Sequence, residues 1–444
     1  MYISDIALDD YRSFHHCVVH LSPGVNILVG PNGQGKTNFV EAIGYLTNFH
    51  SHRSSADSAL VRFAPQSAAL AGRKMTKPAA TEEEDSAFEN AAAVNTASTA
   101  GGGTPAAAII RAKAHFKERE ILVDLEISSG RANRARLARS PVPLKQVRGL
   151  IATTLFAPED LDILQGDPAA RRRFLDDLLV QLWPVEAGTI TQHQKILRQR
   201  GALLKQAAKK KRRGADLSLE LSTLDVWNNQ LSQVGARLIA GRVRALQALT
   251  PHAAQAYLLV LGEDHLANSS QTLELSYVPS FTPPSDLADP QAVEVALQET
   301  FAARREEELI RGVNLAGAHR DDMAVMLDAL PVKGFASHGE TWSAALALRL
   351  GQFELLRQVG ETPILILDDV FAELDPSRRA ALLDFMNRAD QVLITATSRK
   401  DLPTEIEGHF FEVLRGPEGT TIEPSLSAQQ VAKTDSENAR WDAS

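Results

Sequence analysis

Cysteine is almost absent: Cys17 is the only one in 444 residues, so no internal disulfide can form. Set in HHCVVHL, it reads as a small buried apolar residue rather than a reactive thiol. No run approaches eighteen apolar residues, so no membrane-spanning helix is expected. The opening stretch, MYISDIALDDYRSF, lacks both a basic start and a continuous apolar segment. No secretory signal is expected from it, and the protein is placed in the cytoplasm. What is present is ordinary for a globular chain: 44% hydrophobic and 23% charged residues, enough for two or three domains.

Positive charge is in deficit overall, with a formal net charge of −8. The deficit is local. Residues 417–444 hold five acids and two bases, and residues 65–108 hold five acids and three bases, which leaves −3 on the remainder. Within that remainder the bases cluster. Nine lie between Ala187 and Ala215 with no acid among them, including Lys209, Lys210, Lys211, Arg212 and Arg213. Six lie between Ile127 and Pro158, again without an acid, including Arg131, Arg134, Arg136 and Arg139. Such clusters are either solvated faces or phosphate contacts. No aromatic residues interleave with them, which favours backbone-directed duplex binding over stacking on single strands.

One stretch carries specific chemistry. Gly30-Pro31-Asn32-Gly33-Gln34-Gly35-Lys36-Thr37 fits G-x-x-x-x-G-K-T in full. The glycines let successive N–H groups turn inward as an anion nest, and the next helix points its N-terminus at the same phosphates. Lys36 supplies positive charge at the outer phosphates, and the Thr37 hydroxyl suits Mg²⁺. VNILV (Val25 to Val29) reads as the strand before the loop. TNFVEAIGYLTNF reads as the helix after it, with Phe39, Ile43 and Leu46 on one face. The complementary half, PILILDD, ends at Asp368 and Asp369. There a buried strand would deliver Asp368 to the metal through water and Asp369 to the attacking water. ASHGETW offers a second anion-binding end, with Ser337, Gly339 and Glu340 opening a helix. A second phosphate site in one chain makes sense if it serves a neighbouring copy, with Ser337 of one closing on the nucleotide held by Lys36 of the other.

The rest of the chain lies between or beside these halves. Residues 65–108 are rich in Ala, Thr, Ser, Glu and Gly and are expected to be a disordered surface insertion. AIIRAKAHF and EILVDLEIS read as paired strands. From about Asp167 to Ala256 apolar residues recur at three- and four-residue spacing. This predicts an antiparallel helical arm whose longest helix spans roughly 50 Å. Leu258 to Ala296 reads as strand and then proline-rich chain, and AVEVALQETFAARREEELIRG as a returning helix. The predicted plan is α/β, with an ATPase lobe built from both chain ends. Its N-terminal half covers 1–160, a helical arm lobe 161–305, its C-terminal half 306–416, and a disordered tail 417–444.

The order GPNGQGKT, then SHGE before a helix, then LILDDVFAELD, resembles that of ABC-type ATPases. DYRSF (Asp10 to Phe14), LFAPEDL (Leu155 to Leu161), DPAARRRFLDDLL (Asp167 to Leu179) and HRDD (His319 to Asp322) narrow the resemblance to the RecF family, relatives of SMC and Rad50 proteins. It runs from Met1 to about Phe411, apart from the insertion. The resemblance implies a helical second lobe inserted between the halves of the nucleotide site. It implies slow, DNA-dependent ATP hydrolysis with Mg²⁺ and ATP-driven homodimerisation on duplex DNA near gaps. It also implies cooperation with RecO and RecR in loading RecA, and a part in DNA repair, replication and the SOS response. By the same resemblance Asn38 joins Gly30 to Thr37 in the nucleotide set. Arg12 resembles the early arginine that approaches the nucleotide in such heads, the alternative being a surface ion pair. His319 and Arg320 would touch nucleotide or DNA, or serve the fold. Two departures stand out. Trp342 occupies a signature position where the family usually has Arg or Lys. VLITATS lacks the histidine that many ABC ATPases use as a γ-phosphate sensor, leaving Thr395 or Thr397 for that role. A transporter ATPase subunit and a purely structural SMC-like tether share the motifs. The basic arm argues against the first and the arm's shortness against the second. A fused nuclease finds no convincing metal-spaced cluster.

Overall fold

A computed structural model describes residues 1–54, 56–63, 107–262, 271–360 and 362–425. In chain order the strands are β1 (Tyr2–Tyr11), β2 (Phe14–His20), β3 (Gly24–Val29), β4 (Ala107–Phe116), β5 (Arg119–Ser128), β6 (Arg134–Leu137), β7 (Ser140–Val142) and β8 (Thr153–Phe156). They continue with β9 (Leu273–Val278), β10 (Asp322–Leu327), β11 (Leu330–Pro331), β12 (Ile364–Asp368), β13 (Gln391–Ala396), β14 (His409–Gly416) and β15 (Gly419–Ser425). The longer helices are α1 (Lys36–Asn48), α2 (Pro168–Leu182), α3 (Glu186–Arg212), α4 (Ser218–Leu261), α5 (Pro290–Arg311), α6 (His338–Gln358) and α7 (Pro376–Met386).

The chain divides into two compact units. The first comprises Met1–Pro158, Thr362–Asp375 and Leu383–Ser444. It holds two six-stranded sheets, ordered β2-β1-β4-β5-β6-β7 and β15-β14-β3-β13-β12-β8. The first sheet is antiparallel throughout. In the second, β3 lies parallel between β13 and β14, and β12 lies parallel between β13 and β8. A strand from residues 24–29 therefore pairs with strands nearly four hundred residues later, and both chain ends build the sheet. Its central strands are apolar because both faces are covered: Ile364 to Leu367 and Val392 to Ile394 are all fully buried. One apolar cluster joins Ile6 and Ile110 of the first sheet, Phe39, Ile43 and Leu46 of α1, and Ile366 and Leu393 of the second. The α1 face read from the sequence is thus its buried face.

The second unit comprises Glu159–Glu361 and Pro376–Leu382. It holds the helices α2 to α6 and a three-stranded sheet, β11-β10-β9. Helix α3 runs back along α4 after a tight turn, as the pairing of Lys210 with Glu220 and of Arg200 with Asn228 shows. A buried polar knot fastens the pair to α5. The Arg200 guanidinium donates to both Glu308 carboxylate oxygens (2.5 and 3.1 Å), to Asn228 Oδ1 (2.9 Å) and to Asn314 Oδ1 (2.6 Å), and stacks over Phe301. Arg200 and Glu308 are both inaccessible to solvent, so each charge depends on the other. Asp289 caps α5 by accepting from the Gln291 N–H, and Gly312 ends it in the left-handed region.

Four boundaries differ from the sequence reading. Helix α4 has 44 residues and continues through Pro251 to Leu261, about 66 Å rather than roughly 50 Å. Burial of Leu249, Ala253, Ala256 and Tyr257 along one face outweighs the one backbone hydrogen bond that proline removes. Residues 306–361, expected with the ATPase half, group instead with the helices. The reason is α6, whose Gly351 approaches α4 so closely that an added Cβ would lie 2.6 Å from the Ala253 Cα. Residues 417–425, expected in the tail, extend the sheet as β15, with only Thr420 and Ile422 turned inward. Residues 107 and 108 already belong to β4. The rest of the expected insertion and tail, 65–106 and 426–444, lies outside the described residues.

Candidate functional site

The loop from Gly30 to Thr37 joins β3 to α1, the strand–loop–helix setting its pattern requires. Two glycines are dictated by space. A Cβ on Gly30 would lie 2.4 Å from the Val413 carbonyl oxygen. Gly35 has φ +116°, and its Cβ would lie 2.8 Å from the hydroxyls of Ser13 and Thr420. The loop is buttressed from behind. The Gln34 side-chain oxygen accepts from the Arg415 N–H (2.7 Å), and its carbonyl accepts from the Thr420 hydroxyl (2.7 Å). Asn38 donates to Ser13 Oγ (3.0 Å). Pro31, Asn32 and Gly33 form the exposed crest. Lys36 is buried, its ammonium donating to the carbonyls of Gly30 (2.8 Å) and Pro31 (3.3 Å).

At the end of β12 the Asp368 carboxylate and the Asp369 backbone meet at Thr395, and the same carboxylate reaches the loop at Thr37. The Thr395 hydroxyl donates to Asp368 Oδ1 at 2.5 Å, and the Thr37 hydroxyl donates to the same oxygen at 3.2 Å. The Asp369 N–H in turn donates to Thr395 Oγ1 at 2.9 Å. Asp369 has φ +50°, a conformation that costs a residue with a side chain of order 1–3 kcal/mol. Asp368 is buried. The hydroxyl of Thr37 and the carboxylate of Asp368 are hard oxygen donors in contact, the chemistry that suits Mg²⁺. Of the two threonines considered as sensors, Thr395 is tied to the Asp368 carboxylate and the Asp369 N–H, whereas Thr397 donates to Asn32 Oδ1 on the loop crest (3.1 Å).

Arg12 is ion-paired with Glu41. It donates to both Glu41 carboxylate oxygens (2.9 and 2.7 Å) and to the Ala59 carbonyl (3.0 Å). Burial works against the Glu41 charge, but the hydrogen bonds from Arg12 and Ser51 outweigh it and hold the carboxyl below its ordinary range.

In the second unit, Ser337 caps α6. The Glu340 N–H donates to Ser337 Oγ (3.3 Å), and the Ser337 N–H donates to the Glu340 carboxylate (2.7 Å), a reciprocal capping box. That backbone hydrogen bond lowers the Glu340 pKa. Ser337 and His338 are exposed. A Cβ on Gly339 would meet the Arg378 guanidinium at 3.2 Å. Trp342 is only 4% exposed, so the position that usually carries a cation is here filled with an aromatic side chain inside this unit.

The basic clusters are less uniform than their sequence. Lys210 pairs with Glu220 (2.5 Å) and Lys211 with Glu306, acids supplied by other helices. Lys209, Arg212 and Arg213 are exposed without an acid partner among the described residues. Arg131, Arg134 and Arg136 are exposed on and beside β6, Arg134 lying 3.9 Å from Glu126.

The profile of the "RecF/RecN/SMC N terminal domain" family matches residues 2–407. The chain belongs to the RecF family. It is 43% identical to the "DNA replication and repair protein RecF" of Beutenbergia cavernae, over 94% of this chain and 98% of that one. It is 41% identical to the protein of the same name from Streptomyces avermitilis, over 94% and 99%. Its fold matches two solved structures of "the recombination mediator protein RecF" in the RecFOR pathway, described as RecF-ATPrS and RecF-ATP. Both have TM-score 0.75, at 24% and 22% identity, covering 96% of this chain and 98% of theirs.

Within this RecF-family fold, three of the motifs that narrowed the resemblance brace the second unit. Arg171 of DPAARRR forks onto Asp322 of HRDD (2.6 and 3.0 Å), and Arg172 donates to the Asp321 carbonyl (2.8 Å). Asp321 is fully buried and accepts from the Tyr277 hydroxyl (2.8 Å) and the Ser280 N–H (2.7 Å). Asp160 of LFAPEDL accepts from Arg349 on α6 (2.6 Å). His319 is half-buried, and burial pushes its pKa down to about 4, so it is neutral at pH 7. Asp321 and Asp322 thus serve the fold, while Arg320 lies at the surface.

Sequence reasoning missed the back wall of the loop. Thr420 lies in the segment whose composition reads as tail, Arg415 just before it, and Glu41 is one acid among many in a helix. No local pattern marks any of the three.

Proposed function

We propose that this protein is an ATP-dependent DNA-binding protein of recombinational repair and replication, in which ATP acts as a removable link between two copies. Lys36 and the Gly30–Thr37 loop of one copy hold the triphosphate, and Ser337, Gly339 and Glu340 of the other close on it. Thr37 and Asp368 would hold Mg²⁺, which when bound neutralises phosphate charge. Asp369 orients the attacking water and accepts its proton, and Thr395 fixes the Asp368 carboxylate through its hydroxyl and the Asp369 backbone through the amide. Lys36, released from the Gly30 and Pro31 carbonyls, turns to the phosphates. Hydrolysis reopens the pair, slowly, because a threonine stands where a histidine sensor would. Closure presents basic surface to the backbone of duplex DNA near single-strand gaps, with Lys209, Arg212 and Arg213, and Arg131, Arg134 and Arg136, as contacts. RecO and RecR then assist RecA loading.

The observation that carries this reading is the Thr37–Asp368–Thr395–Asp369 chain of hydrogen bonds, which joins both halves of a nucleotide site. A capped, exposed serine opening α6 supports the in-trans part. The RecF named in the solved ATP-bound structure supports the choice of nucleotide. Sedimentation with ATP and Mg²⁺ tests it. Asp369→Asn should accumulate dimer on duplex DNA, and a variant that stays monomeric at saturating ATP would refute the proposal.

A further inference from the structure

The second unit contains a cleft of about 360 Å³ that no step of the proposed mechanism uses. It lies between α3 and the segment after α5, and is lined by Arg198, Gly201, Lys205, Gly312, His319 and Arg320. Three of these carry permanent positive charge, and among the described residues no carboxylate lines the cleft. Arg198, Lys205 and Arg320 are all exposed, and none forms an ion pair with a described residue. Among the described residues, the Arg320 guanidinium donates only to the Asn314 carbonyl (3.0 and 3.1 Å), which aims it without neutralising it. His319 Nδ1 is buried against this wall with no hydrogen-bond partner among the described residues. Glycine shapes the recess: a Cβ on Gly201 would meet the Asn314 amide at 3.2 Å, and Gly312 has φ +70°. Beneath the floor, the Arg200–Glu308–Asn314 knot holds α3 and α5 in place.

Spacing along α3 gives the cleft a direction. Arg198, Lys205, Lys209 and Arg212 fall at i, i+7, i+11 and i+14, which puts them on one stripe of the helix. The stripe is about 21 Å long at 1.5 Å per residue. Lys210 and Lys211, off the stripe, are the two that acids neutralise. The uncompensated cations thus form a line that begins in the cleft and ends at the tip of the arm, which matches an extended polyanion better than a compact one.

We propose that this cleft is a phosphodiester-binding site, in which Arg198, Lys205 and Arg320 grip the backbone of duplex DNA that then follows the stripe to Lys209 and Arg212. The neutral His319 brings no negative charge to the cleft and leaves its buried ring edge to a phosphate-bound water or hydroxyl. This rests on the DNA-binding reading above and locates its surface.

The test uses the full-length protein, a duplex of random sequence and a salt titration with ATP present. Wild type should show log affinity falling linearly with log salt. Arg198→Gln/Lys205→Gln/Arg320→Gln should flatten that slope by about 0.9 for each phosphate no longer neutralised, hence by about 1 to 3. The charge-retaining Arg198→Lys/Lys205→Arg/Arg320→Lys should restore most of the slope, which separates charge from misfolding. A triple glutamine variant with the wild-type slope overturns the cleft and leaves the DNA reading standing. Wild type that binds no duplex at low salt overturns both. Tripolyphosphate provides the free-ligand arm. If the glutamine variant loses tripolyphosphate binding at this site yet keeps the wild-type DNA slope, the cleft serves a small anion and the proposal fails.

Discussion

Thr395 is the joint on which the proposed nucleotide site turns, and replacing it with valine is the sharpest perturbation of that joint. Valine has nearly the shape of threonine, so no cavity opens, and what makes the swap costly is the hydroxyl. What disappears is one hydroxyl that donates to Asp368 at 2.5 Å and accepts the Asp369 N–H at 2.9 Å. The bond to a carboxylate is the stronger, about 1.5–3 kcal/mol, and the amide left without its acceptor adds about 1 kcal/mol. Thr395→Val should therefore destabilise the first unit by about 2.5–4 kcal/mol, read as a lower urea midpoint at unchanged slope. Thr395→Ser keeps the hydroxyl and loses one methyl, so it should cost only about 1 kcal/mol. Turnover should follow the same order, since only the valine variant frees the Asp368 carboxylate and the Asp369 backbone. A valine variant within 0.5 kcal/mol of wild type, a margin below the roughly 1 kcal/mol of a typical hydrogen bond, would show that the threonine bridge is not made.

Two further outcomes follow from the second unit. Gly351→Val should lower stability by about 1–3 kcal/mol, because its side chain would enter the 2.6 Å approach to Ala253, and a thermal melt reads this directly. His193 is buried, and burial, with repulsion from Arg242, depresses its pKa to about 3. The unfolded chain binds a proton near pH 6.5 that the folded chain refuses, so its contribution is complete above pH 6.5 and declines as pH falls towards 3. The decline should be about 1.4 kcal/mol per pH unit, and His193→Gln should remove that part of the slope in urea titrations at pH 7, 6 and 5.

The sequence made the phosphate loop and its partner strand legible because each is a local pattern with one physical meaning. Gly30, Gly35, Lys36 and Asp368 sit where their spacing required. The arm was legible in kind but not in length, since Pro251 reads as a helix end and only tertiary burial carries α4 past it. Charge was the least legible property. Lys209 to Arg213 look equivalent in sequence, yet Glu220, back along the next helix, and Glu306, far along the chain, neutralise two of the five. Arg12 was open between nucleotide and ion pair for the same reason, because Glu41 becomes its neighbour only through the fold. Trp342 departs from the family pattern in a way the fold accommodates by burying it.

The central claim is that each nucleotide site is completed by the other copy, and mixing two inactive variants tests it most directly. Lys36→Ala removes the phosphate lysine, and Ser337→Arg blocks the closing serine. Alone, each should hydrolyse almost no ATP. Mixed, half of the dimers would carry one intact pair, so activity should return to roughly a quarter of wild type for a two-fold symmetric assembly. A mixture as inactive as its components would contradict the account, because it would mean that Lys36 and Ser337 do not act on one nucleotide across two copies.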